Sequence, residues 1–428
     1  MKSLRSRLLW KKNHWVKGWQ NKKLNKKYII RISGAKAMTS KERMAEAMQL
    51  RQPDRVPVMC QLALGHYFLR SGLPAIEIWH SSESFAAALI NLQRRYHFDG
   101  ILVNLPGREP NWQRYVRKIE EKDGQKIVRW INGWVSVCPT DDNPHVLREN
   151  GREFHACLDE VDPEKLFYLE PHDLGGLKYP FSWGFSSELP AKEDFFPPWH
   201  FATVDYLVGR VGKEISVHAE VFSPFSQLLE LLGYQAGFLA MKKDPTKFKA
   251  CLQALTRGTT AYGLGLAAHG VDAILISSAL AGGHFISLQH YQEFVLPYEK
   301  IVIEGIKAKY NIPVYTHICG KIGDRLELIE TTGTNGIDTL DPPPLGNVEL
   351  AEAKKRVGRR LFLKGNIDPI NVVLNGTPEK VWEAARKCLE VAREGGGYIL
   401  STACSVPPYA PPENILKLYE AVERHGYY

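Results

Sequence analysis

Residues 313–340 read PVYTHICGKIGDRLELIETTGTNGIDTL and contain one strand–helix–strand unit. The apolar run Pro313–Ile318 is typical of a buried parallel strand, and Gly336–Leu340 is a second such run. Between them, Lys321–Thr332 follows a glycine and has a helical pattern. Parallel strands joined through helices are the repeating unit of α/β folds.

Similar apolar runs occur on both sides of this unit, and helical patterns such as Leu288–Tyr310, Val348–Val357 and Thr377–Glu394 separate most of them. Eight strands that alternate with helices predict a (β/α)₈ barrel, with a doubly wound sheet as the alternative. The eight runs are Val56–Gln61, Gly100–Leu105, Ile215–Phe222, Asp272–Ser277, Pro313–Ile318, Gly336–Leu340, Leu361–Asn366 and Gly397–Thr402.

The regular alternation is interrupted after the second run. Arg114–Lys122 and Lys126–Val137 flank Asp123-Gly124, a strong turn signal, and so predict a β-hairpin. We expect an elaborated loop and β-hairpin insertion at about 106–200, on the mouth of the barrel, as a lid or partner surface. The barrel domain as a whole is predicted to span 38–428. It opens with a helix whose capping box is Thr39–Glu42.

Basic charge is concentrated at the start of the chain. Twelve of the 55 Lys and Arg residues, and none of the 47 Asp and Glu residues, lie in 1–36, so the rest of the chain is slightly acidic. Residues 1–37 are predicted to be a basic, disordered extension. The alternatives are an upstream translation start before Met38 and an anchor for acidic lipid or RNA. No nucleic-acid partner is expected for the body of the chain, and no apolar run is long enough to span a bilayer.

Seven cysteines without a secretory signal predict a reducing, cytoplasmic setting in which some thiols ligate metal. The strongest pattern is THICG at 316–320. His317 and Cys319 share parity in a strand, so both side chains face the same way, and Cys404 follows the eighth run. One imidazole and two thiolates are a good zinc set that leaves a fourth position for substrate. The other cysteines are interpreted as buried core residues.

The chain resembles the uroporphyrinogen decarboxylase superfamily from about Met38 onward, and within it the zinc methyltransferases that act on methylated corrinoid proteins. The resemblance rests on RQPDRVPV at 51–58, HICG at 317–320, KGNID at 364–368 and GGYILSTAC at 396–404. It implies that His317, Cys319 and Cys404 are zinc ligands. It also implies a methylcorrinoid (cobalamin) delivered by a partner corrinoid protein, and a small-molecule methyl donor or acceptor such as a thiol or methyl ether.

Two residues of this chain argue against decarboxylase activity. The arginine of the decarboxylase segment after strand one is His66 here, and its essential aspartate at the end of strand two is Asn104. The alternatives to a methyltransferase are therefore a decarboxylase of porphyrin biosynthesis and a non-enzymatic metal- or corrinoid-binding protein.

Other residues near strand ends are candidates for chemistry. Glu220 is expected to act as a fourth ligand or proton carrier. Asp368 and Asn366 are expected to orient the substrate or the metal-ligand histidine, although Asp368 could instead cap the next helix. Gln61 is expected to hydrogen-bond substrate.

Overall fold

The computed structural model describes residues 38–147, 151, 155–170 and 195–428. The predicted basic extension at 1–37 and part of the predicted insertion lie outside these ranges. Among the described residues, no helix is long and apolar enough to cross a membrane.

Most of the strands belong to one parallel sheet, and four form a separate antiparallel sheet. In chain order the strands are β1 (Gly100–Val103), β2 (Val116–Lys122), β3 (Gln125–Trp130), β4 (Val135–Cys138), β5 (His145–Leu147), β6 (Ser216–Phe222), β7 (Ala273–Ser277), β8 (Val314–His317), β9 (Gly336–Thr339), β10 (Phe362–Ile367) and β11 (Tyr398–Thr402).

The parallel sheet runs in the order β1-β6-β7-β8-β9-β10-β11 and is closed by the first predicted strand, Val56–Gln61. On one side of this segment Val58 bridges Leu400 of β11 in parallel. On the other side Asp99, next to β1, donates its N–H to the carbonyl of Val58 at 2.7 Å. Pro57 has no N–H to donate, which limits this segment to isolated bridges. The predicted (β/α)₈ barrel is confirmed.

Helices cover the outside of the barrel, as expected for this architecture. They are α1 (Ser40–Met48), α2 (Leu64–Arg70), α3 (Ala75–His80), α4 (Ser82–Tyr96), α5 (Ala202–Val211), α6 (Pro224–Leu232), α7 (Tyr234–Lys243), α8 (Pro245–Ala268), α9 (Leu288–Phe294), α10 (Leu296–Lys307), α11 (Leu326–Glu330), α12 (Leu350–Arg356), α13 (Pro378–Ala392) and α14 (Pro412–His425).

Two predicted helices differ from the structure. Leu288–Tyr310 is two helices, α9 and α10, because Pro297 lies in the first turn of α10 and cannot continue the hydrogen bonds of α9. Lys321–Thr332 contains only the short helix α11, preceded by turns. The predicted capping box at Thr39 is confirmed. The helix predicted over Thr377–Glu394 is α13, and the Thr377 side chain caps its first turn.

Helix α1 closes the amino-terminal end of the barrel. The backbone N–H of Lys41 donates to the carbonyl of Glu214, just before β6, and its ammonium pairs with Asp272, just before β7. The apolar face of α1 packs against the inward-facing side chains of the strands in one buried cluster: Met44, Ala47, Met48, Met59, Leu102, Ala273, Leu275, Tyr315, Phe362 and Ile399. The interior below the mouth is therefore filled, and only the opposite, carboxyl-terminal end of the strands is available for a site.

The predicted hairpin is part of a four-stranded antiparallel sheet, β2 to β5. The turn at Asp123-Gly124 is confirmed, with Lys122 paired to Gln125. The predicted second strand, Lys126–Val137, was wrong in its extent, because a turn at 131–134 containing Gly133 at φ 87° divides it into β3 and β4. This sheet has its own small core of Trp112, Val128, Trp130, Trp134 and Cys138.

Candidate metal centre at the barrel mouth

His317, Cys319 and Cys404 lie together at the carboxyl-terminal end of the barrel. His317 ends β8, Cys319 follows two residues later, and Cys404 follows the end of β11. The Nε2 atom of His317 lies 3.3 Å from the Cys319 sulfur, which lies 3.5 Å from the Cys404 sulfur. In the described part of the chain, this is the one group of three or more His, Cys, Asp or Glu residues whose donor atoms all lie within 4.8 Å of one another.

A layer of polar side chains surrounds the base of this cluster. Each member lies two positions after a residue that faces the barrel interior, such as Met59, Leu102 or Tyr315, so the alternation of strand side chains turns it inward as well. The layer holds one residue from each strand of the barrel or from the position directly after it: Gln61, Asn104, Glu220, Ser277, His317, Asp338, Lys364 and Ser401.

Three neighbouring members of this layer form a chain of ion pairs. The register of the parallel sheet sets His317 beside Asp338 and Asp338 beside Lys364. Asp338 accepts from Nδ1 of His317 at 3.1 Å and from Nζ of Lys364 at 2.8 Å. All three are at least 96% buried. Because a carboxylate only accepts, Nδ1 carries the proton and Nε2 of His317 is presented to the two thiols.

Electrostatics hold these groups charged despite their burial. Burial alone would raise the pKa of Asp338, but Lys364 and His317 hold it at about 2. Burial likewise opposes charge on His317, yet Asp338 and Cys404 raise its pKa to about 10. A hydrogen bond from Cys319 lowers the pKa of the Cys404 thiol well below its usual value, and the same pairing raises that of Cys319. Without metal, these pKa shifts favour an imidazolium at His317, a thiolate at Cys404 and a thiol at Cys319.

Two further carboxyl groups, those of Glu220 and Asp341, interact electrostatically with the cluster. Burial raises the pKa of Glu220 to about 7, with His317 and a hydrogen bond from Ser277 opposing the shift. Burial also raises the pKa of Asp341 to about 6, although its carboxylate accepts the Gly320 N–H at 2.5 Å. Glu220 can therefore give up or take a proton near neutral pH.

Not every predicted site residue lies at this centre. Gln61 has the strand parity of an inward-facing residue, and its Oε1 is buried with no hydrogen-bond partner among the residues that the structure describes. Asn366 instead donates to the carbonyls of Leu340 and Val348, because Gly365, at φ 149°, interrupts the regular alternation of the strand. Asp368 accepts from two backbone N–H groups and caps the turn that follows. The structure therefore does not bring Asn366 and Asp368 to the cluster, and the alternative cap assignment for Asp368 matches its contacts.

Sequence reasoning assigned no role to Asp338, Lys364 or Asp341. Asp338 and Lys364 each lie within a predicted strand at the parity of an interior position, so the alternation could have placed them in the mouth. Their pairing depends on the register between strands, which a single sequence does not reveal.

An eight-stranded parallel barrel with an imidazole–dithiol cluster at its mouth defines an α/β-barrel protein with a candidate metal centre. The family model for uroporphyrinogen decarboxylase (URO-D) matches residues 185–425, more than half of the chain. The chain belongs to the uroporphyrinogen decarboxylase family.

Several curated proteins of this kind are similar in sequence. A methylcobamide:CoM methyltransferase of Methanosarcina acetivorans is 29% identical over 224 residues, 52% of this chain and 62% of that protein. A methylated-thiol–coenzyme M methyltransferase of Methanosarcina mazei is 28% identical over 51% of this chain and 56% of its own length. A uroporphyrinogen decarboxylase of Vesicomyosocius okutanii is 31% identical over 42% of this chain and 49% of its own length. The chain thus spans less than two thirds of the curated relatives it matches.

The fold has a solved counterpart. A methyltransferase from Methanosarcina mazei aligns with 90% of this chain and 98% of its own, with a TM-score of 0.65 and 18% sequence identity. At this identity the likeness supports the barrel architecture alone.

Proposed function

We propose that this protein is a zinc-dependent methyltransferase that moves a methyl group between a corrinoid protein and a small substrate, such as a thiol or a methyl ether. The observation that carries the proposal is the set of one nitrogen and two sulfur donors within 4.8 Å at the barrel mouth. The relatives named as methylcobamide and methylated-thiol methyltransferases support it.

The donor set fits zinc. One imidazole and two thiolates are typical protein ligands of Zn²⁺, and a three-ligand site leaves the fourth position for a substrate. Cys319 and Cys404 are only partly buried, so a substrate entering the mouth could reach a metal held by them. Bound Zn²⁺ would supply Lewis acidity, which lowers the pKa of a thiol or polarises a methylated oxygen or nitrogen.

The protein's own groups would orient the ligands and move the proton. Asp338 holds His317 so that Nε2 faces the two sulfurs. In methyl transfer to a thiol, the sulfur–carbon bond forms and the cobalt–carbon bond breaks. Its electron pair stays on the cobalt, which is reduced from Co(III) to Co(I), and the thiol proton is released. Glu220, with a pKa of about 7, is our candidate for taking that proton, or for returning one to the heteroatom in the reverse direction. Gln61 is our candidate for a substrate hydrogen bond.

The decarboxylase alternative conflicts with the surroundings of His66. This residue stands where the decarboxylase has an arginine, but it is fully buried and bonds to the Tyr96 hydroxyl at 2.8 Å. Burial lowers its pKa to about 4, so it is neutral and cannot pair with substrate carboxylates. This position therefore offers no cationic side chain to pair with the carboxylates of a porphyrinogen.

The test is methyl transfer by the purified zinc-loaded protein from methylcobalamin to small thiols, and from methyl ethers to reduced cobalamin. We expect turnover in at least one direction, lost in Cys319→Ser and kept in Cys138→Ala, which changes a buried thiol of the inserted sheet. Methyl transfer that survives in Cys319→Ser would contradict the assignment of the site.

A further inference from the structure

One carboxyl group that the proposed chemistry does not use is buried outside the barrel wall. Glu299 lies in α10 and is fully buried. Its oxygens accept hydrogen bonds from the hydroxyl of Ser278 and, at 3.1 Å, from the hydroxyl of Tyr291. Burial raises the pKa of Glu299 to about 7, and these two hydrogen bonds oppose the shift. Because burying a carboxyl group costs stability, stability alone does not explain its presence here.

The hydroxyl that Glu299 holds belongs to a loop that follows β7, which we call the 278–286 loop. The sheet register places Ser277, the last residue of β7, beside His317. The backbone N–H of Ser278 then donates to the carbonyl of His317 at 2.9 Å. Glu299 therefore fixes the side chain of a residue that bonds to the backbone of a candidate metal ligand.

The middle of the same loop packs against the segment that carries Cys319. Gly282 lies so close to this segment that a Cβ at its position would overlap the carbonyl oxygen of Cys319. The N–H of Gly283 donates to the carbonyl of Lys321 at 2.7 Å. The loop thus contacts the backbone of two of the three candidate ligands, His317 and Cys319.

A second buried polar side chain holds the far part of the loop. Arg325 donates to the carbonyl of Ala281 at 2.6 Å and to that of Ile286 at 3.4 Å. Its guanidinium carbon lies 5.4 Å from the centre of the Tyr291 ring, whose hydroxyl bonds to Glu299. One connected set of buried side chains therefore anchors the loop at both ends.

We propose that the 278–286 loop sets the position of Cys319 relative to His317, and that Glu299 is a positioning residue of the metal centre that acts through this loop. A zinc site tolerates little displacement of its ligands, because the Zn–S and Zn–N bonds are about 2.3 and 2.0 Å long. Without the hydrogen bond to Glu299, Ser278 loses its anchor, and the loop can shift together with the backbone of Cys319. This inference rests on the proposed function, because it takes the cluster as the metal centre.

Two variants of Glu299 test its role. Glu299→Leu removes both hydrogen bonds at similar volume, whereas Glu299→Gln keeps a group that accepts and donates. Competition with a chromophoric chelator measures zinc affinity, and the visible spectrum of the Co²⁺-loaded protein reports the ligand geometry without turnover. We expect Glu299→Leu to weaken zinc about tenfold and to alter the Co²⁺ spectrum, and Glu299→Gln to stay within about twofold of the wild type.

Gly282→Ala tests the contact between the loop and Cys319 without removing a hydrogen bond. Since φ of Gly282 is −78°, alanine strains no backbone there, and the added Cβ meets the carbonyl of Cys319. Gly209→Ala is the matched control, because no described atom outside its own helix lies within 4 Å of the added Cβ. We expect Gly282→Ala to weaken zinc about tenfold and Gly209→Ala to leave zinc affinity unchanged.

A further control separates positioning from a general loss of stability. Val381→Ala truncates a fully buried side chain in α13 and should lower the denaturant midpoint without changing zinc affinity. Wild-type zinc affinity in both Glu299→Leu and Gly282→Ala, or an equal loss of affinity in Val381→Ala, would overturn the inference and leave the proposed metal centre intact. A wild-type protein that binds neither zinc nor Co²⁺ would overturn both.

Discussion

Replacing Lys364 by methionine should damage both the stability of the barrel and the metal centre. The ammonium lies 2.8 Å from Oδ1 of Asp338, and both side chains are at least 98% buried. Lys364→Met keeps the length and apolar stem of the side chain and removes its charge. Asp338 then remains in the barrel interior with His317 as its only charged partner among the described contacts.

The size of the effect follows from this geometry. At 2.8 Å, two unit charges attract by about 6 kcal/mol for an effective dielectric constant of about 20. Removing the lysine also removes the cost of burying it, so we expect a net loss of about 3–5 kcal/mol, as found when one partner of a buried pair is deleted. The pKa of Asp338, now about 2, should rise, which weakens its hold on His317. Zinc affinity should therefore fall about 10- to 100-fold.

Denaturant unfolding of the metal-free protein and competition with a chromophoric zinc chelator measure the two effects separately. The double variant Lys364→Met/Asp338→Asn buries neither charge, so most of the lost stability should return, whereas zinc binding should remain weak. If Lys364→Met costs less than about 1 kcal/mol and binds zinc like the wild type, the ion-pair account of this layer is wrong.

Three further predictions concern the cluster and its frame. Zinc binding should release about two protons near pH 7, from the imidazolium of His317 and the thiol of Cys319, so zinc affinity should rise from pH 6 to 9. Calorimetry in buffers of different ionisation enthalpy measures the number of protons released, and binding without proton release would contradict the prediction. Gly320→Ala should cost about 1–2 kcal/mol and weaken zinc, because φ is +80° and a Cβ would lie 2.6 Å from Nδ1 of His284; unchanged thermal stability would refute this. Asp99→Ala should cost about 3–5 kcal/mol in denaturant unfolding, because Arg43 and Arg55 both pair with this fully buried carboxylate; a loss below about 1 kcal/mol would contradict it.

The sequence predicts the barrel well because each buried strand is a short apolar run bounded by turn residues. The alternation of strand side chains also predicts that His317 and Cys319 face the same way. Contacts between residues far apart in the chain are harder to predict. Cys404 lies 3.5 Å from Cys319 only because the barrel closes, and its role is predicted by the resemblance and by the position of the eighth strand.

The remaining differences have local physical causes. Asn366 shares the parity of Lys364 but points elsewhere, because Gly365 leaves the extended conformation. Asp368 is occupied by the backbone N–H groups that it caps, a competing role that the sequence also allowed. The pairing of Asp338 with Lys364 depends on register, which neither composition nor periodicity determines.

The most direct test of the metal centre is the zinc content of the purified protein and of His317→Ala, Cys319→Ala and Cys404→Ala, with Cys138→Ala as the matched control. The account predicts about one zinc per chain in the wild type and the control, and a large loss in each of the three variants. Zinc retained in any of the three, or absent from a wild type purified without chelators, would contradict it.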